Sequence, residues 1–309
     1  MNRSREFAVR VLQGCRAARG PTLAMLLLSP LAVHAGTPIN KRGPADPAGQ
    51  VEVSNVSGTV IVTGWNRSDV EVTGELGEGS ERLEFGATGK VTRIKVILPN
   101  RSHNVDGTDL VIRVPAGSSL SVNTVSADIR VRDVTGAQRL QSVSADIDTA
   151  VAAEDVECKT VSGDVRVTGA GKPALLNITT VSGDATVSRV AGEVNANTVS
   201  GDMTFGVGET TRSRLRSTSG DLGLSASLAP EARLDVESMN GDVRLDFAKP
   251  VDAEFDVSSF NGEINNCFGP RAVRTSEYAP GHELHFREGQ GTARVRIKTF
   301  NGDINFCAK

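Results

Sequence analysis

Nine carboxylates recur along this chain at near-regular spacing: Asp128, Asp146, Asp164, Asp184, Asp202, Asp221, Asp242, Glu263 and Asp303. Successive intervals differ little in length, except the last, which is about twice the others. Such a row could hold divalent cations. Calcium takes six to eight oxygens, and each unit offers one carboxylate plus the oxygen of a Ser or Asn two residues earlier. Clustered carboxylates also serve carbohydrate lyases and hydrolases built on β-helices, so a polysaccharide-active enzyme is the second chemistry to weigh. The third reading is a ladder of solvated turn residues, whose neighbouring charges repel by about 0.9 kcal/mol in water and less in salt. The glycine-rich calcium-binding β-roll carries more acids and glycines per turn than this chain does. An enzyme would need a cleft built from several long loops, whereas the near-constant intervals leave one long excursion, residues 268–290. We therefore expect turn residues.

The other reactive side chains give no stronger constellation. His282 and His285 lie three apart, on opposite faces of a strand, and no third ligand is close in sequence. His103 sits in a loop-like stretch, the serines fall at turn positions, and neither a nucleophile elbow nor a phosphate-binding glycine loop occurs. No catalytic, cofactor-binding or metal-ligating residue is expected, and no cofactor.

The elements that position the acids are legible in the flanking columns. One residue after each acid stand Ile129, Ile147, Val165, Ala185, Met203, Leu222, Val243, Ile264 and Ile304. Six before stand Val122, Leu140, Cys158, Ile178, Ala196, Leu215, Val236, Val257 and Ile297. Apolar columns with polar neighbours are the two-residue period of half-buried strands. Gly precedes the acid in seven units and Ala in the first two, after a Ser or Asn in every case. That is turn chemistry. A second turn is suggested by "DVTG" at 133–136 and "VAGE" at 190–193. Each unit is strand, tight turn, strand, and it must stack on its neighbours to bury its apolar side. The expected fold is all-β: a single-stranded β-solenoid, or parallel β-helix, of about nine to ten coils over residues 121–309.

Residues 50–120 lack that period and read as an antiparallel β cap over the first coil, with Trp65 packed within it. Residues 36–49, rich in Gly and Pro, read as a flexible leader. Residues 1–35 carry five Arg and one Glu, then the short apolar run "LAMLLLSPLAV" and small residues, which is the pattern of a secretory signal cleaved after Ala35. Cys15 in "VLQGC" precedes the apolar run, unlike a lipoprotein cysteine. The whole chain is −3, so the processed chain is −7, a poor match to nucleic acid or an anionic lipid surface. No second apolar run is long enough to span a membrane as a helix.

"GTVIVTGWNRSDVEVTG", "LVIRVP", the TVSGD units and the closing "FNGEINNCFGP…PGHEL…GTARVRIKTFNGDI" resemble the bacterial putative-adhesin domain of unknown function, itself similar to the head-GIN auto-transporter adhesin domain. The likeness spans most of residues 50–309. It implies an exported β-helical protein, periplasmic or at the cell surface, with adhesion attached to the family as a conjecture. It brings no catalytic residues. The expected function is a non-catalytic envelope protein, an adhesin or binding scaffold. Its partner would be a protein or glycan of the envelope, or a second copy. The alternative is the β-helix enzyme.

Two columns carry further expectations. Cys267 and Cys307 each lie four after their acid, in one column, and export would place them where disulfides form. They pair only if their coils are adjacent and 268–290 loops out. Cys158, in the inward column, reads as a small core residue. Four before each acid stands Thr or Ser: Thr124, Ser142, Thr160, Thr180, Thr198, Ser217, Ser238, Ser259 and Thr299. Three before come Val125, Val143, Val161, Val181, Val199, Thr218, Met239, Phe260 and Phe300. Alternation puts the Thr/Ser column inside and leaves an apolar stripe outside as the candidate interaction face. A bend at the corner would instead turn the Val column inward.

Overall fold

The computed structural model describes residues 36–99, 105–152, 154–276 and 280–309. The expected signal segment, Cys15 and His103 lie outside the described residues. Among the described residues there is no helix, and 22 strands form one continuous sheet.

The repeating unit is clearest at Val156–Ser162 and Val165–Gly169. These strands flank the corner Gly163-Asp164 and pair in parallel, in register, with the equivalent strands of both neighbours. Cys158 thus lies between Leu140 and Ile178. Val165 lies between Ile147 and Ala185. Because register is kept, each apolar column becomes a continuous buried row, and both inward columns read from the sequence are closed to solvent, with Ile264 at the outer end the most exposed. The result is a β-solenoid-like body. At the second corner some strands run on without a break, as in Ala185–Ser200 and Leu222–Asn240. There Asp133, Arg189 and Glu231 adopt positive φ of 56° to 59°, a left-handed conformation that costs a non-glycine residue some energy.

Both ends depart from the expected order. Near the N-terminus, Gln50–Trp65 pairs in parallel with Ser119–Arg132, which places Gly58 beside Ala127 and Thr59 beside Asp128. Val91–Ile97 and Thr108–Pro115 then stack in parallel on the far side of Gln50–Trp65. Only Thr37–Pro44, Asp69–Leu76 and Arg82–Thr88 pair antiparallel. Residues 50–120 are therefore not a purely antiparallel region. Nor are residues 36–49 a free leader, because Thr37–Pro44 is an edge strand that buries Ile39. Its glycine and prolines suit an edge, where a missing N–H costs nothing. Trp65 lies at the end of its strand, half-buried, donating Nε1–H to the Asp69 carbonyl at 2.9 Å.

At the C-terminus the chain doubles back. Ala293–Asn301 and Ile304–Ala308 insert between the coil of Leu222–Asn240 and Val243–Phe247 and that of Ala253–Asn261 and Ile264–Asn266. Asp303 thus lies between Asp242 and Glu263 in space, and the long last interval between acids marks this insertion. The outermost strand, Ala253–Asn261, is covered on its free edge by His282–Glu288, paired antiparallel. Phe255 meets Phe247, Phe268, Phe286 and Phe306 at ring separations of 4.7 to 5.7 Å. An open solenoid end would expose apolar interior and unpaired backbone, and this aromatic group with its antiparallel strand closes it.

The same insertion brings Cys267 to Cys307, Cα atoms 4.8 Å apart, in a disulfide. In the chain-entropy treatment a loop of 40 residues contributes roughly 3–4 kcal/mol. Cys158 is free and buried, and burial pushes its thiol up to about 12.

A thiol reagent at neutral pH should therefore leave Cys158 unlabelled in the native protein and modify it once the protein is denatured, read by intact mass. Because Phe306 is fully buried within the inserted coil, Phe306→Ala should lower stability by about 3–5 kcal/mol in urea unfolding.

Candidate functional site

The corner dictates what the surface can display. At Gly163, Gly183, Gly201, Gly220, Gly241 and Gly302, φ lies between 122° and 145°. A Cβ at any of these would sit 2.1 to 2.3 Å from the carbonyl oxygen of the adjoining rung. Glycine is thus required twice, for its φ and for the close approach of two backbones. The two Ala corners, Ala127 and Ala145, lie in the first rungs and lack the positive φ.

Each acid serves its neighbour. The carboxylate Oδ1 of Asp146 accepts the backbone N–H of Asp164, and the pattern continues through Asp184, Asp202, Asp221, Asp242 and Asp303 to Glu263, at 2.8 to 3.0 Å. The first bond, Asp146 N–H to Asp128, is longer at 3.3 Å. Glu263 stands last in space. Its N–H donates to Asp303, and no N–H lies beyond it to require the short reach of an Asp. The column is an anionic hydrogen-bond ladder along the corner. Among the described residues no three His, Cys, Asp or Glu side chains come together as a metal set. His282 Nδ1 faces the Gly262 carbonyl at 3.0 Å, and His285 faces Asp256 at 3.3 Å, so the two histidines are apart in role.

Strand alternation survives the corner. The Thr/Ser column points inward, its members 1% to 7% exposed. Several of its hydroxyls bond corner carbonyls, as Thr124 does to Ala127 at 2.9 Å and Ser259 to Gly302 at 3.2 Å. The neighbouring column points outward. Val125, Val143, Val161, Val181, Val199, Met239, Phe260 and Phe300 are 41% to 51% exposed. Phe260 and Phe300, on adjacent rungs, stack face to face with centroids 4.8 Å apart. Beside them a groove of about 400 Å³ is lined by Met239, Phe260, Thr275, His282, Lys298 and Phe300.

Sequence reasoning missed the ladder's other end. In the register of Gln50–Trp65, Val56 falls in line with Val125 and is exposed, while Asn55 takes the inward hydroxyl position. Asn55 Nδ2 donates to the carbonyls of Ser57 and Thr108 at 3.1 and 2.8 Å. The signal was present: "NVSGTV" at 55–60 is "TVSGDV" with Asn55 in place of the Thr and Thr59 in place of the acid. Nine of the eleven exposed large apolar side chains among the described residues thus lie in this one column. Apolar residues scattered singly over a surface need no explanation, but an aligned set does.

The profile of the family described as Toastrack DUF4097 matches residues 51–306. The chain belongs to that family. Among solved structures, a protein from Parabacteroides distasonis named a "putative lipid binding protein" matches with 12% identity and a TM-score of 0.50, covering 88% of this chain and 97% of its own. A "putative adhesin" from Bacteroides fragilis matches with 11% identity and a TM-score of 0.41, covering 87% of this chain and 97% of its own. A "putative cell adhesion protein" from Clostridium sporogenes matches with 10% identity and a TM-score of 0.23, covering 88% of this chain and 100% of its own. No curated protein matches. The first of these likenesses supports the Toastrack fold of the chain and nothing finer.

The ladder predicts an asymmetry. Asp202→Ala removes the acceptor of the Asp221 N–H and should cost about 1–2 kcal/mol, since the bond is charge-assisted but the corner is open to water. Glu263→Ala should change stability by less than about 0.5 kcal/mol. Gly201→Ala should be far worse than either, because its Cβ would overlap the Gly183 carbonyl oxygen. Urea midpoints of the three variants check the order.

Proposed function

We propose that this Toastrack protein is a non-catalytic binding scaffold of the bacterial cell envelope, of adhesin type, whose contact face is the apolar column from Val56 to Phe260. On this reading the antiparallel strands near the N-terminus and the excursion around 268–290 cap the two ends of a parallel β-solenoid. The lateral faces are then the surfaces left for binding. The observation that carries the proposal is the concentration of nine exposed large apolar side chains in a single straight column. Keeping such a row in water costs hydrophobic free energy that a partner would recover.

Export is supported by the signal-like segment 1–35 and by the Cys267–Cys307 disulfide, which suits an oxidising compartment. The anionic ladder at the same corner disfavours an acidic membrane surface as the partner. The enzyme alternative is weakened by the engagement of the acids, whose carboxylates hold the N–H groups of successive rungs. The occupant we favour is a second copy of this chain. Its ladder repeats at the same strand spacing, about 4.8 Å, so side chains of two ladders interdigitate rung for rung.

Replacing Val161, Val181 and Val199 together with Thr keeps shape and β-propensity while removing apolar surface. Sedimentation equilibrium should show the protein self-associating and the triple variant doing so at least about tenfold more weakly, with an unchanged melting curve. A wild-type protein that stays monomeric at the highest soluble concentration would overturn self-association. A variant that associates like wild type would overturn the face.

A further inference from the structure

On the strands that lead into the apolar column, outward side chains from successive rungs form further rows two, four and six residues before it, and in-register stacking sets a rule for them. Like charges directly opposite on paired strands destabilise a sheet, and opposite charges stabilise it. Two neighbouring rows obey. Arg214, Asp235, Arg296 and Asp256 alternate in sign, with separations of 3.8 Å for Arg214–Asp235 and 3.7 Å for Arg296–Asp256. Arg216, Glu237 and Lys298 alternate as well, with Arg216–Glu237 at 3.0 Å.

The next row breaks the rule. Arg212 is paired in register with Arg233, and Arg233 with Arg294. The outer two lean outward to carboxylates, Arg212 to Glu193 at 3.4 Å and Arg294 to Glu254 at 3.9 Å. Arg233, between them, has no carboxylate within ion-pair distance among the described residues, and it is exposed. In a chain whose net charge is negative, three guanidiniums stacked on consecutive rungs form a local positive site with an unsatisfied centre.

We propose that this row binds a carboxylated oligosaccharide laid across the strands. Arg233 and Arg294 line an open groove of about 860 Å³ together with Arg287, Asp235, Glu254 and Asp256. Guanidiniums take carboxylates or phosphates in bidentate pairs. The carboxylates in the same groove choose between these ligands: they need hydrogen-bond donors and repel a ligand made only of acceptors. A uronic-acid oligosaccharide presents carboxylates and hydroxyl donors side by side, whereas a polyphosphate offers no donors. Glu193 and Glu254 bound the row and limit the ligand's anionic stretch to about three rungs, on the order of 10 Å at the usual strand spacing. The site shares its strands with the apolar column but lies six residues from it, about 20 Å along extended backbone.

Calorimetry of the purified protein with trigalacturonate, maltotriose and tripolyphosphate tests it. Trigalacturonate should bind, more weakly as salt rises, and maltotriose should not. Arg233→Gln should weaken trigalacturonate binding at least about tenfold, or 1.4 kcal/mol. Arg166→Gln, an exposed arginine on the opposite strands, and the triple Val-to-Thr variant should both bind as wild type. No binding of trigalacturonate, or equal binding by Arg233→Gln with an unchanged melting curve, would overturn the site. Tripolyphosphate binding as tightly as trigalacturonate would overturn the assignment to a glycan.

Discussion

The structure depends on the contact between successive backbones at the glycine corner. There the carbonyl of one rung occupies the space where the next rung would place a Cβ, so the corners stack with no side chain between them. Backbone-to-backbone stacking holds the strands that flank this corner in register, while bulges shift the pairing at the second corner, and register turns each position near the glycine corner into a straight row. The inward rows fill the core. The acids, brought to a common spacing, become acceptors for one another's N–H groups. The row of carboxylates seen in the sequence owes its alignment to that packing.

A stack of this kind has two vulnerable ends, and the chain treats them alike. In each case a terminal repeat lies inside the stack while a neighbouring segment of sequence lies outside it. Gln50–Trp65 sits between Ser119–Arg132 and the later Val91–Ile97 and Thr108–Pro115. Ala293–Ala308 sits between two coils that precede it in sequence. Antiparallel strands then cover the outer edges. Phenylalanine, scarce elsewhere in a chain with 4% aromatic residues, gathers around Phe255 to close the C-terminal end.

Straight rows also organise the outer surface. An isolated exposed Val is unremarkable in a sheet protein, but register converts several into a continuous apolar ladder. Register makes charge patterning consequential too, because a residue's neighbour across the strands comes from a different repeat of the chain. Arg214 and Asp235 relieve each other for that reason, and Arg212, Arg233 and Arg294 do not. On such a body outward residues fall in rows along the stack, with rung spacing as the unit of length.

The sequence by itself determined the rung. Apolar columns of period two, Ser/Asn-Gly-Asp corners and their near-constant intervals specify strand, turn, strand and parallel stacking. Parity alone orients the Thr/Ser and Val columns, because alternation is a local property of extended backbone. The pairing of Cys267 with Cys307 was legible from their shared column. The order of rungs was not. Which segment stacks on which depends on closing the ends of the hydrophobic core, a condition on the whole molecule that leaves no mark on any one repeat. Thus Asp303 lies between Asp242 and Glu263, and Thr37–Pro44 is a paired strand despite its glycine and prolines. The arginine row was hidden for the same reason. Arg233 and Arg294 belong to repeats that are not consecutive in sequence, and only the inserted coil makes them neighbours.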